Sequence, residues 1–178
     1  MASGNIFLVG MMGAGKTTLG KALAQRLSHE FLDADRVLVE RTGVPVATIF
    51  EIEGEEGFRK REASLLAELA QRRGCVIATG GGAVLSEANR RLMRESGTVV
   101  YLRARLENLW ERIRHDSTRP LLATADPRAR LAQLLQEREP LYREAAHVVV
   151  DTGAQSAVTL VTRVLAALRA HDDTGDAG

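Results

Sequence analysis

The sequence predicts an α/β protein: a parallel sheet of about five strands with helices on both faces, in one three-layer domain spanning residues 1–178. Two patterns point there. Short apolar runs alternate with amphipathic helical stretches along the chain, and that alternation belongs to parallel sheets covered by helices. The runs are apolar throughout, as in strands buried on both sides. The first of them also leads directly into a glycine-rich turn and a helix.

Ile6-Phe7-Leu8-Val9 reads as the first strand, ending at Gly10. The helix after it stacks Leu19, Leu23 and Leu27 on one stripe. Phe31-Leu32 is a short second strand running into Asp33-Ala34-Asp35. Residues 36–73 read as mostly helical, cut into short pieces and then a longer helix by Gly43, Pro45, Gly54 and Gly57. Cys75–Thr79 is a third strand, stopped by Gly80-Gly81-Gly82. A helix near 87–95, a strand Thr98–Leu102 and a helix near 106–115 follow. The segment 116–127, with Pro120, Pro127 and several small polar residues, reads as a long exposed loop of the kind that forms lids. A helix near 128–138, a strand His147–Asp151 and a last helix carrying Val158, Val161, Val164, Leu165 and Leu168 complete the pattern. The tail 171–178 is small and acidic and is expected to fray. No internal repeat or domain boundary is visible; 34–60 and 116–127 read as insertions on one core.

Composition excludes several classes. Of 178 residues, 45% are hydrophobic and 26% charged, as in an ordinary globular domain and unlike a disordered or fibrous chain. Lys and Arg total 24 against 23 Asp and Glu. That balance argues against a general nucleic-acid partner. No apolar run approaches the roughly 18 residues of a membrane helix, so no membrane partner is expected. Cys75 is the single cysteine, which precludes an internal disulfide and fits a reducing compartment. With no signal-peptide pattern at the N-terminus, a cytoplasmic protein is expected. Its four histidines show no ligand spacing, and Trp110 reads as packing.

The strongest chemical signal is Gly10-Met11-Met12-Gly13-Ala14-Gly15-Lys16-Thr17, which satisfies G-x-x-x-x-G-K-[ST] between a strand and a helix. Such a loop turns backbone N–H groups inward as an anion nest, and the helix N-terminus adds positive potential. Lys16 is expected to reach the β- and γ-phosphates of a nucleotide, Thr17 to ligate Mg²⁺ and Thr18 to donate to an α-phosphate. The motif binds a nucleoside triphosphate without fixing the reaction.

Asp33 and Asp35 follow the second strand, at the end of the sheet where ligands bind. An extended backbone would turn both to one side. One carboxylate would then support Mg²⁺ and the other take a proton from a substrate hydroxyl, or the pair simply caps the next helix. Gly80-Gly81-Gly82 exceeds what a turn needs and suits a ligand lying against bare backbone. Arg59 and Arg138, taken alone, read as helix-surface arginines; Glu62, three residues after Arg59, is placed to orient its guanidinium. Phe50 and Phe58 read equally as core or as the wall of a pocket.

Taken in order, these residues resemble the shikimate kinase family over about 5–168. The resemblance rests on Gly13–Thr18, Phe31–Asp35, Ile49–Arg59, Glu62, Thr79–Gly82, Arg119-Pro120-Leu121-Leu122 and Arg138-Glu139-Pro140-Leu141-Tyr142. It implies a P-loop kinase fold with a substrate-binding region at 34–60 and a mobile lid at 112–124. The implied reaction moves the γ-phosphoryl of ATP to the 3-hydroxyl of shikimate, with ATP and Mg²⁺ as cofactors. By position it makes Asp35 the base candidate and a ligand of the shikimate hydroxyls. Arg59 and Arg138 become the carboxylate clamp, and the Gly81 backbone contacts the ring. Gly13, Ala14, Gly15, Lys16, Thr17 and Thr18 hold the nucleotide phosphates, Arg119 reaches them from the lid, Asp33 supports the metal with Thr17, and Gln155 lies near the adenine. A small-molecule substrate and a monomer are expected. Within enzymes, the rival is a related kinase of gluconate or a nucleoside monophosphate. Outside them, it is a nucleotide-binding switch or an inactive homologue, which the presence of Lys16, Asp35 and both arginines argues against.

Overall fold

A computed structural model of the chain describes residues 4–116 and 119–175. Ser117 and Thr118 of the expected lid loop, and the last three residues of the expected frayed tail, lie outside the described residues. Among the described residues the strands are β1 (Asn5–Val9), β2 (Glu30–Asp33), β3 (Cys75–Ala78), β4 (Gly97–Ala104) and β5 (Val148–Thr152). They form one parallel sheet in the order β2-β3-β1-β4-β5. β1 is central: Leu8 aligns with Ala78 of β3 and Val100 of β4, and Phe7, Leu8 and Val9 are wholly buried.

The helices are α1 (Lys16–Leu27), α2 (Ala34–Thr42), α3 (Val46–Leu69), α4 (Glu87–Ser96), α5 (Leu106–Ile113), α6 (Pro127–Ala145) and α7 (Ala157–Gly175). α1 and α7 pack together on one face of the sheet; α4 and α6 cover the other. β1 therefore hands the chain to one face, and its neighbour β3 hands it to the opposite face. This divergence opens a crevice at the C-terminal ends of the two strands, and the expected site residues gather there.

α3 is broken at Gly54, whose φ of 72° and ψ of 179° are non-helical. The bend turns Ile49 and Phe50 before it, and Phe58, Glu62, Leu65 and Leu69 after it, toward the core.

The structure departs from the sequence expectations at four places. α6 does not stop near 138 but runs through Pro140 to Ala145. Leu131, Leu134, Arg138, Tyr142 and Ala145 form a continuous buried stripe. Their burial outweighs the one backbone hydrogen bond a mid-helix proline removes. The segment 116–127 is not a wholly exposed loop: Pro120–Leu122 forms a 3-10 turn, and Leu122 is buried in the core. α7 continues to Gly175, so residues 171–175 of the expected frayed tail are helical. Asp35 is not on extended backbone but in the first turn of α2, because Asp33 ends β2 and caps that helix through Arg36 N at 3.2 Å.

Candidate active site

The phosphate cradle comes first. Gly15 sits at the N-cap of α1 with φ 94°, a left-handed conformation that a side chain would strain. The next residue, Lys16, opens the helix. Its Nζ donates to Gly10 O at 2.6 Å and Met11 O at 2.9 Å, so the ammonium is folded over its own loop. Burial lowers its pKa to about 8, against the opposing pull of Asp35. Thr17 Oγ1 donates to Asp33 Oδ2 at 2.8 Å, which leaves the hydroxyl's lone pairs available to a cation. Asp33 is thus both helix cap and partner of Thr17, one oxygen for each. Ala14 is buried, and its N–H donates to Met11 O at 3.1 Å. Thr18 is exposed beside Thr17. Gly13, Gly15, Lys16, Thr17 and Thr18 line a cavity of about 300 Å³ together with Asp33, Asp35 and Arg119.

A second cavity, of about 250 Å³, adjoins it, and Met12, Asp35, Gly80, Gly81 and Arg119 line both. Burial raises the pKa of Asp35, and the Asp33 charge adds to the rise, while Lys16, Arg59 and Arg119 pull it down. Burial also raises that of Glu62, against the attraction of Arg59. Asp35 Oδ1 and Glu62 Oε2 are buried and lack a hydrogen-bond partner among the described residues. A buried acceptor without a donor costs free energy, so both oxygens are ready for hydroxyl groups of a bound molecule.

Two guanidinium groups face the same cavity. Arg59 Nη1 donates to Glu62 Oε1 at 3.0 Å, and its Nη2 lies 3.4 Å from Glu55 Oε1. It also sits over the Phe58 ring, 5.2 Å from the centroid. Arg138 enters from α6 and is only 2% exposed, so it is no surface arginine. Phe50 and Phe58, 4.6 Å apart, wall the cavity while their inner sides pack on the core; both readings of these rings hold. Arg119 pairs with Asp116 at 3.1 Å on the rim.

Gln155 stands apart from this convergence. It is exposed and lines a separate groove of about 750 Å³ with Arg103, Gln136 and Asp151. Two residues of structural weight were given no role in the sequence analysis. Arg112 bridges the cradle to the loop after β5, donating to Gly13 O and Gly153 O at 2.8 Å each. Tyr142 holds the Gly81 carbonyl. Periodicity along α6 carried a signal for Tyr142; nothing local distinguishes Arg112 from the many other arginines.

The arrangement can hold a polyphosphate against a small polyhydroxylated acid. Comparison with known proteins agrees. The family model described as shikimate kinase matches residues 12–169. The shikimate kinase of Nitrosospira multiformis is 56% identical over 98% of this chain and 89% of its own length. A shikimate kinase from Acinetobacter baumannii, solved in complex with shikimate, superposes with a TM-score of 0.89 at 46% identity, covering 91% of this chain and 90% of that one. A gluconokinase from Sinorhizobium meliloti shares the fold alone, with a TM-score of 0.61 and 22% identity. On the match from the cradle to the last helix, this chain belongs to the shikimate kinase family.

Proposed function

We propose that this chain transfers the γ-phosphoryl group of ATP to the 3-hydroxyl of shikimate, giving shikimate 3-phosphate and ADP on the route to chorismate and the aromatic amino acids. One observation carries the choice of acceptor. The cavity beside the cradle presents two guanidinium groups, Arg59 and Arg138, and two orphaned buried carboxylate oxygens, on Asp35 and Glu62. A ring acid with three hydroxyls answers both sets: the guanidinium forks take the carboxylate, and the oxygens take hydroxyl protons.

In this reading Asp35 accepts the proton of the 3-hydroxyl as its oxygen attacks the γ-phosphorus. The bond from that phosphorus to the bridging oxygen breaks, and its electron pair stays with ADP. The raised pKa of Asp35 supports the role, since a stronger base takes the proton more readily. Lys16 leaves the Gly10 and Met11 carbonyls for the phosphates. Arg119 exchanges Asp116 for the same charge when the lid, 112–124, closes over 34–60, and closure keeps water from the γ-phosphate. The backbone of Gly13, Ala14 and Gly15 with Thr18 holds the phosphate tail, and the Gly81 backbone supports the ring. Gln155, in the loop after β5, lies near the adenine, and Arg112 of α5 ties that loop to the cradle.

Mg²⁺ would bind at Thr17, whose hydroxyl is oriented by Asp33, and when bound it supplies charge neutralisation between the phosphate oxygens. In this reading the working unit is a monomer. The free buried thiol of Cys75 suits the cytoplasm. Among the described residues no helix is long and apolar enough to cross a membrane.

The test is ADP release measured against shikimate, quinate, gluconate and nucleoside monophosphates. Turnover with shikimate far above the others is expected. Preference for another acceptor would overturn the substrate assignment and leave the nucleotide cradle standing.

A further inference from the structure

α6 lines the second cavity with Arg138 and carries a second buried polar side chain that the proposed chemistry does not use. Tyr142 lies one turn further on, with no exposed surface. Its ring stacks on Tyr101 with centroids 5.0 Å apart. Its hydroxyl donates to the Gly81 carbonyl at 2.5 Å and lies 3.5 Å from the Met11 sulfur. Burial pushes that hydroxyl up to about 12, and the charge of the Arg138 guanidinium pulls the other way. Arg138 Nη1 in turn lies 3.3 Å from where a Gly81 side chain would begin. The hydroxyl thus holds the backbone beside which the Arg138 guanidinium lies.

The loop needs such an anchor. In Gly80-Gly81-Gly82 the first and last carbonyls are held locally, by Ala83 N and Leu85 N at 3.1 Å each. The middle carbonyl is held by a side chain from across the crevice. Glycine peptides rotate at little steric cost. A peptide is planar, so fixing Gly81 O also fixes the direction of the Gly82 N–H. Tyr101 provides an internal contrast: it is equally buried and stacked, but its hydroxyl points away to Glu139.

We propose that Tyr142 is a positioning residue for the acceptor subsite: its hydroxyl locks the Gly81–Gly82 peptide beside Arg138, so that backbone and guanidinium meet the substrate together. The inference rests on the shikimate reading above.

The test compares Tyr142→Phe with Tyr101→Phe in the full chain. Tyr142→Phe should raise the shikimate KM about tenfold, the loss from one hydrogen bond, and leave the ATP KM within about twofold. Amide exchange at Gly81 and Gly82 should quicken in that variant. Tyr101→Phe should change neither. In the unmutated protein the Tyr142 hydroxyl proton resonance should shift on adding shikimate, a measurement independent of how the variant folds. An unchanged shikimate KM in Tyr142→Phe, equal losses for both substrates, the same effect from Tyr101→Phe, or a hydroxyl resonance indifferent to shikimate would each overturn the proposal. If the unmutated chain did not phosphorylate shikimate, the acceptor assignment itself would fall first, so the two failures are distinguishable.

Discussion

A single methyl group at Gly82 probes the acceptor pocket without replacing a charged residue. Gly82 has φ −97° and ψ 3°, a conformation open to alanine. A Cβ there would lie 2.2 Å from Arg59 Nη2 and 2.5 Å from its Cζ and Nη1. Ordinary carbon contacts begin near 3.5 Å, so the guanidinium must retreat by about 1.3 Å. It is the far end of a flexible side chain, and moving it strains little. The move does break the 3.0 Å bond to Glu62 and withdraws the fork from the cavity. Losing one charged hydrogen bond to substrate is worth about 1.5–3 kcal/mol, or roughly 10- to 150-fold in affinity.

Gly82→Ala should therefore weaken shikimate binding by roughly that factor while the ATP KM stays within about twofold, because Arg59 does not line the phosphate cradle. Melting should fall by only about 2–4 °C, the equivalent of roughly 1 kcal/mol in a chain this long. Calorimetric titration of shikimate, with steady-state kinetics in both substrates, reads these quantities. Unaltered shikimate affinity in a normally folded Gly82→Ala protein would refute the placement of Arg59 on the acceptor. A parallel loss for ATP would refute the separation of the two cavities.

Other outcomes follow from the same geometry. Asp35→Asn should cut turnover at least about a hundredfold, the lower range for a general base, with ATP binding nearly intact by equilibrium titration; full turnover would remove Asp35 from the base role. The pH profile should be bell-shaped. Lys16, lowered to about 8, loses its charge as pH rises through that value in the free enzyme. kcat/KM for ATP should therefore fall above about pH 8, while bound phosphates favour the charged amine and move the alkaline limb of kcat higher. On the acid side Asp35 must be ionised to accept a proton. Its raised pKa puts the acid limb of kcat above the ordinary carboxylate range, and a limb at that ordinary range would contradict its burial. Shikimate with nucleotide should slow hydrogen exchange in 34–60 and around Arg119, whereas exchange unchanged in both segments would argue against closure.

What the sequence disclosed depended on how local each feature is. The cradle was legible because strand, loop, lysine and helix lie within about a dozen consecutive residues. Asp35 was legible by position but not by geometry. Capping by Asp33 starts α2 one residue later, and the helix, not an extended strand, delivers the carboxylate to the crevice. Arg59 and Arg138 could not be told from surface arginines without the family pattern. Arg138 reaches a buried place only because α6 continues through Pro140. Ending the helix near 138 also left Tyr142 without a place on it, although the buried stripe from Leu131 carries the helical period past Pro140. Arg112 depends on contacts at sequence separations of 99 and 41 residues, which no local pattern reports.

The charges around Asp35 tie the two cavities together electrostatically. Lys16, Arg59 and Arg119 all hold its pKa down, against burial and the neighbouring Asp33. Two of those cations, Lys16 and Arg119, also line the phosphate cradle. When a triphosphate engages them, their field at Asp35 is offset by the phosphate charge. Arg59 is offset in the same way by a substrate carboxylate. On the proposed function, each ligand would therefore remove part of what holds the pKa of Asp35 down. An exposed aspartate would feel little of this, because water screens such charges; burial is what makes its basicity follow occupancy. The same burial that makes Asp35 costly to ionise in the free protein thus couples its readiness for the proton to the presence of both reactants.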